Sequence, residues 1–460
     1  MTSAPAGAPG TLTSTSFVPE PHLLDSPRGR DWPRLPATPV PLRDELPARA
    51  DVVVVGAGPA GLAVTSALWH HGVRDVVVLD RGGRACGRFF GRIDLLGQRV
   101  LRSPYEHHPG VEGYRDCELL DFARLHWGRL TPTERREVRM SQAGHRSVVP
   151  VDVFEAYCEH LVATHGVAEK TWRATAGQVR PGADEVVVHT DRGSVTARHV
   201  VLCPGEERRE APESWWGGGA APPGVTYWDE RLPAGIGGRQ VVVGAGLSSA
   251  HLITAALEAG REVHWVVRAT GEHYQCADVN SKFFRPEGRA RIGGVRWADR
   301  LRLFAEYRRA SVMFEFRPAL QRAEAEGRLV VHRGETITGL SAGMGGTAVL
   351  RLAGGRRVSG DHAVLALGTT PETGRGLLPA FAVGERDGWP DLDERTLAYT
   401  HAPRVSVVGA AAGMVLGPAA RNIDGHRVAT ARVADAVARS LRHDGAAVDA
   451  RHLNKVGAGV

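Results

Sequence analysis

One short pattern occurs twice in this chain and limits what it can fold into. The apolar run VVVV (52–55) meets GAGPAG (56–61), then a helix-like stretch LAVTSALWHHG (62–72) and a second apolar run DVVVLD (75–80). The series returns as VVV (241–243), GAGLSS (244–249), AHLITAALEAG (250–260) and EVHWVVR (262–268). Each reads as strand, glycine turn, helix and strand, the βαβ start of a dinucleotide-binding fold. Each is followed at a distance by a hairpin and a buried strand closing on a glycine. EVVVHTDRGSVTARHVVLCPG (185–205) ends at Gly205, and TAVLRLAGGRRVSGDHAVLALGT (347–369) carries Gly368. A repeat of this length is one architecture used twice. The fold class expected is therefore α/β, with two Rossmann-like dinucleotide-binding domains. A further strand, RVSVVGAA (404–411), and a helix over roughly 421–442 start no new domain, so they return to the first one and leave the second inserted in it. The boundaries read as an extended arm over 1–49, a first domain over 50–234 and 371–443, a second over 235–370, and a flexible tail over 444–460.

The first unit has the chemistry of a nucleotide clamp. Gly56 allows the tight turn, Gly58 lets the backbone approach a pyrophosphate, and Gly61 lets helix and strand pack closely; Pro59 and Ala60 open the helix whose free N–H groups face the phosphates. Asp80 lies 24 residues past Gly56 and is followed by Arg81. A carboxylate there accepts the ribose hydroxyls of an adenosine and repels a 2′-phosphate.

In the second unit the same spacing of 24, counted from Gly244, falls on Arg268. An arginine at that step grips a 2′-phosphate with its fork of donors. The first clamp therefore suits FAD and the second NADPH, held by Gly244, Gly246, Ser248, Ser249 and Arg268. Ser249 stands where the third glycine is expected; its hydroxyl and that of Ser248 are read as caps for free helix N–H groups or partners for a phosphate oxygen.

Composition removes several other classes. The chain has 460 residues, 43% of them hydrophobic, enough for two or three cores. No run of eighteen apolar residues is present, so no membrane span is expected. MTSAPAGAPGTLTST has no basic stretch leading into an apolar core, so no secretory signal is expected and the cytoplasm is the expected location. The five cysteines include no Cys-x-x-Cys, which argues against a disulfide framework and a zinc site. The net charge of +6 comes from 57 basic and 51 acidic residues spread without a polybasic block, which points away from nucleic acid. His107 and His108 are adjacent and point apart, with no acid at ligand spacing, so no metal is expected there.

A chain with both clamps moves hydride from nicotinamide to flavin. Two clamps in this order, the second of the form G-x-G-x-S, resemble the class B flavin monooxygenases, over roughly residues 50–440. Within that class the nearest resemblance is to the N-hydroxylating monooxygenases of amines and amino acids. GRIDLLGQRVLRSPY (91–105) resembles their glutamine-containing loop on the flavin, with Gln98 and Arg102 fitting. DVNSKFFRPEG (278–288) resembles the segment that forms the nicotinamide and substrate pocket, and GPAARNIDGHR (417–427), with Pro418, the loop over the flavin ring. The resemblance implies FAD reduced by NADPH, then a flavin hydroperoxide that oxygenates a neutral amine, a homo-oligomeric enzyme, and cofactor contacts from Gly368. It implies Gln98 and Asn280 at the reacting centre, and Arg102, Asn280, Lys282 and Arg285 on the substrate. Gln98 also fits an ordinary polar loop residue, and each cation alone fits a solvated one; together they suggest an anionic small molecule. PPGVTYWDERLP (222–233) has no histidine, which argues against Baeyer–Villiger chemistry. S-oxygenation or Baeyer–Villiger chemistry on the same scaffold, a flavin reductase with a non-oxygen acceptor, and a flavoprotein sensor remain as alternatives.

Overall fold

The first glycine turn sits at the carboxyl end of the middle of a sheet. In the computed structural model, described over residues 21–35, 45–111, 118–145, 147–217, 220–275, 292 and 294–457, the strand Arg49–Val55 lies between Val76–Asp80 and Gly193–Leu202, parallel to both. The sheet extends on one side through Ala402–Val407 to Ala398–Tyr399 and on the other to Thr171–Arg173. Val52, Val53 and Val54 have no exposed surface, as expected for β-branched residues in a parallel sheet covered on both faces. The covers include the helix Pro59–His70 and the last helix, Ile423–Gly457. That helix runs on well past residue 442, through the stretch read from sequence as a flexible tail.

The second sheet repeats the arrangement. Its five parallel strands run in the order Val225–Tyr227, His362–Leu365, Arg239–Val243, Glu262–Val267, Leu329–Arg333. Both fold expectations, α/β class and two dinucleotide-binding domains, hold.

The chain crosses between the domains twice, and the crossings pair. Glu206–Arg208 runs antiparallel to Thr369–Pro371, with Thr369 opposite Arg208 and Pro371 opposite Glu206. The first crossing therefore falls near residue 206, not at 234, and Val225–Tyr227 belongs to the second sheet. Sequence missed this because a three-residue strand gives no periodicity. One helix also sits against expectation: Trp297–Tyr307 lies within the second domain's sequence but packs on the first. Its Phe304 abuts Gly413 so closely that a Cβ there would stand 2.3 Å from the ring.

Candidate functional site: two glycine turns facing one cleft

The repeat holds at the level of single atoms. Gly56 has φ +99° and Gly244 φ +132°, both in the region that favours glycine. A Cβ on Gly56 would lie 2.4 Å from the Cys203 carbonyl oxygen, and one on Gly244 2.1 Å from that of Ala366. The Gly56 N–H donates to Leu79 at 2.8 Å and the Gly244 N–H to Val266 at 3.1 Å, while Cys203 donates to Val55 at 2.8 Å and Ala366 to Val243 at 2.7 Å. Each turn is thus pinned between two neighbouring strands and opens toward the helix that follows.

The helices differ in how they close. A Cβ on Gly61 would stand 1.9 Å from the Gly56 carbonyl oxygen, so the first helix sits too near its strand for any side chain. In the second unit Ser249 occupies that contact. Its hydroxyl lies 3.0 Å from where a Gly244 Cβ would be, and it is fully buried with no hydrogen-bond partner among the described residues. Ser249 therefore works as the close-packing residue and faces away from the cleft; no side-chain cap forms on Leu247–Glu258. Ser248 does line the cleft, with Gly244 and Gly246.

The two turns open into one cavity of about 2390 Å³ between the domains. That is more than twice the ~1,000 Å³ upper end of ordinary small-molecule pockets. Gly58, Gly246 and Gly368 border it with nothing near their Cβ positions, so backbone approach by a ligand is open there. Pro59, Asp80, Arg81, Gln98 and Arg268 also line it. Ala60, Gly61 and Pro418 are buried behind its surface. Asp80 accepts the Ala57 N–H at 3.1 Å and the Gly82 N–H at 2.8 Å. Arg81 reaches Glu207 at 3.4 Å, and Arg88, an unpredicted member of the wall, holds the same carboxylate at 2.8 Å, which keeps Glu207 below the usual carboxylate range. Arg268 is exposed at the end of Glu262–Val267 and pairs with no carboxylate among the described residues.

Two predicted residues are tied more than expected. Gln98 donates its side-chain N–H to the Val100 carbonyl at 2.7 Å. Arg102 reaches across the domains to Ser311 at 2.8 Å and to Gln275, whose side-chain oxygen also accepts the Ser311 hydroxyl at 3.0 Å. Asn280, Lys282 and Arg285 lie outside the described residues. Trp215 and Trp216 pack on the core of the second domain.

The cleft wall also carries unused polar atoms. Asn422 Nδ2 and His426 Nδ1 are buried there without a hydrogen-bond partner among the described residues. Burial lowers the His426 pKa to about 4, only partly opposed by Glu206, so the ring is neutral at pH 7. Neutral polar edges in a cleft that also holds a glycine turn no Cβ can enter fit the polar rim of a flavin. The second turn, with a strand-end cation in the same cleft, fits a phosphorylated nicotinamide nucleotide.

Two glycine-turn domains sharing one cleft define a two-dinucleotide α/β fold. A family profile described as an NAD(P)-binding Rossmann-like domain matches residues 54–112, spanning the first turn. Among solved structures, this fold matches an ornithine N-hydroxylase of Kutzneria sp. 744, in a complex with reduced FAD, NADP+ and L-ornithine. That match has TM-score 0.68 and 17% identity, covering 85% of this chain and 99% of that one. The ornithine hydroxylase of Pseudomonas aeruginosa in its reduced form matches with TM-score 0.67 and 19% identity, over 85% and 99% of the two chains. A bacillithiol disulfide reductase from Bacillus cereus shares the fold more loosely, at TM-score 0.56 and 14% identity, over 85% and 99%. No curated protein sequence matches. At these identities the likeness is one of fold.

Proposed function

We propose that this protein is an FAD- and NADPH-dependent monooxygenase that N-hydroxylates a small amine or amino acid, as a cytoplasmic homo-oligomer. The observation that carries the reading is the second clamp: Arg268 at the strand end, with no carboxylate partner among the described residues and facing the same cleft as the first glycine turn. A flavin held only as a structural element needs no such partner. FAD and NADPH would supply the redox chemistry. The chain's own part is to hold both nucleotides on their turns, to keep polar groups neutral near the reacting centre, and to shield it from water. Gln98, and Asn280 with Arg102, Lys282 and Arg285, are proposed to face the flavin edge and the substrate.

A disulfide reductase is the second reading, since that fold likeness exists. Against it, Cys86, Cys158 and Cys203 are all buried free thiols, and burial pushes the Cys203 thiol, the one that lines the cleft, well above its ordinary range. A thiol held protonated is a poor nucleophile. The test is oxygen consumption during NADPH oxidation, with mass-spectrometric detection of a hydroxylamine across a panel of amines and amino acids. NADPH oxidation that proceeds equally without oxygen overturns the monooxygenase and favours the reductase.

A further inference from the structure

Two arginines in the cleft hold one carboxylate, and a third stands near them. Glu206 begins the first crossing between domains; its Oε1 accepts from Arg308 at 2.9 Å and its Oε2 from Arg421 at 2.8 Å. Arg209 borders the same cleft and has no ion pair among the described residues. The three guanidiniums come from the crossing, the end of the helix Trp297–Tyr307 and the turn Pro418–Arg421, so three separate stretches of chain converge here. The Arg308, Glu206 and Arg421 side chains are only 18%, 16% and 34% exposed. Three positive groups against one negative leave a formal excess of two charges. The Arg308 guanidinium is held below its ordinary range by burial and by the nearby Arg421, with Glu206 opposing. Such an excess in a half-buried place is relieved by an anion, and a planar fork suits an oxyanion.

The strand order says which anion. In the second sheet Glu262–Val267, which leads to Arg268, and His362–Leu365, which leads to Gly368 and Thr369, flank the glycine-turn strand on opposite sides. Arg421 bonds the Thr369 hydroxyl at 3.2 Å, so the cluster stands across the turn from Arg268. In the first sheet Val76–Asp80 and Gly193–Leu202 flank Arg49–Val55 in the same way, and Glu206 follows the latter. A dinucleotide laid over a turn with its adenosine at Asp80 or Arg268 sends its other end toward Glu206. The adenosine-side phosphates are served elsewhere, by the turns and by Arg268.

We infer that Arg308 and Arg421, set by Glu206 and with Arg209 beside them, seat a compact oxyanion of the substrate where the reactive ends of the two nucleotides meet. The inference rests on the monooxygenase reading and narrows it: the substrate carries a carboxylate or phosphate-like group, which selects amino acids over simple diamines.

Isothermal titration calorimetry on the FAD-loaded protein tests the seat without turnover. The probes are succinate and its uncharged diamide, succinamide, with wild type, Arg308→Gln and Arg421→Gln. Succinate is expected to bind wild type and succinamide not. Each variant is expected to weaken succinate about tenfold or more, as for loss of a charged hydrogen bond, with the preference for NADPH over NADH unchanged. Equal binding of succinamide, or of succinate by the variants, overturns the seat. So does weakening of NADPH and NADH alike with succinate untouched, which assigns the arginines to the nucleotide. If Arg308→Gln sheds its FAD, the more exposed Arg421→Gln and the wild-type probe pair still decide. Absent oxygen consumption with succinate binding intact sinks the monooxygenase and leaves the seat.

Discussion

The Asp80 carboxylate accepts the Ala57 N–H at 3.1 Å, so the acid that ends the second strand also holds the glycine turn of the first. The same carboxylate takes the Gly82 N–H at 2.8 Å. It therefore shapes the turn as well as offering oxygen to a ribose. Asp80→Ala removes both, and FAD affinity is expected to fall by about 10- to 150-fold, at ~1.5–3 kcal/mol for bonds to a charged group. Asp80→Asn keeps one acceptor and is expected to lose less. FAD retained per chain after dialysis reads both, and an Ala variant that keeps full occupancy would remove the ribose role.

Arg268 has no partner within the described chain to compensate for, so its removal is a clean measurement. Arg268→Ala is expected to raise the KM for NADPH about 10- to 100-fold and that for NADH hardly at all. Equal effects on the two would take 2′-phosphate recognition away from this residue. Arg268→Lys keeps the charge without the fork and is expected to fall between.

What sequence disclosed here was local: the glycine turns, their strands and the charge swap from Asp80 to Arg268 are contiguous patterns whose physics acts within one βαβ unit. Ser249 was legible as a substitution but not in its role, because its hydroxyl could be placed toward phosphate or toward strand only once the helix was packed. The Glu206 cluster was invisible. Its two ion-pair partners, Arg308 and Arg421, lie more than 100 residues from Glu206, and nothing marks one arginine among many until the chain crosses between domains beside it. The ribbon at 206–208 was missed for the same reason, being too short for a period and defined only by its partner at 369–371.

The third-glycine positions should respond in opposite ways. Gly61→Ala places a Cβ 1.9 Å from a backbone oxygen that cannot yield, so the first helix must move and FAD is expected to be lost. Ser249→Ala deletes a buried hydroxyl that has no partner among the described residues. It is expected to leave NADPH binding within about twofold and to raise stability by ~1 kcal/mol, since an unmade hydrogen bond costs about that much. A large loss of NADPH affinity in Ser249→Ala would restore the hydroxyl as a nucleotide contact.

Acid should destabilise the fold through buried neutral histidines. Burial lowers His251 to about 3, and it lowers His107, His199 and His426 to about 4. The unfolded chain protonates these rings below about 6.5 while the folded one does not, so the unfolded state binds more protons and stability is lost as pH drops through that window. His251 packs edge-on against Phe316 with ring centroids 4.8 Å apart. His251→Leu is expected to cost some packing at pH 7 and to recover about 2 kcal/mol relative to wild type by pH 5. Urea unfolding at both values checks it; a difference that does not narrow on acidification would show that His251 titrates normally in the fold.

The segment before the first strand is more than an extended arm. Leu23 is buried in the core of the second domain with Trp228 and Phe316, while Trp32 is buried among helices of the first. Between them Arg30 joins two buried carboxylates, Glu134 at 2.6 Å and Asp152 at 2.7 Å. Asp152 also accepts the Gly29 N–H at 2.7 Å and the Trp32 indole at 2.8 Å. Removing the cation leaves both acids buried without it, a change that typically costs ~3–5 kcal/mol. Arg30→Ala is expected to lower stability by that order in urea unfolding. The comparison is Arg124→Ala, which breaks a half-exposed pair with Asp121 at 2.9 Å and is expected to cost at most about 1 kcal/mol. If the two variants lose the same amount, the segment is only draped on the body; if Arg30→Ala loses several times more, it is a strap that holds the domains on either side of the cleft.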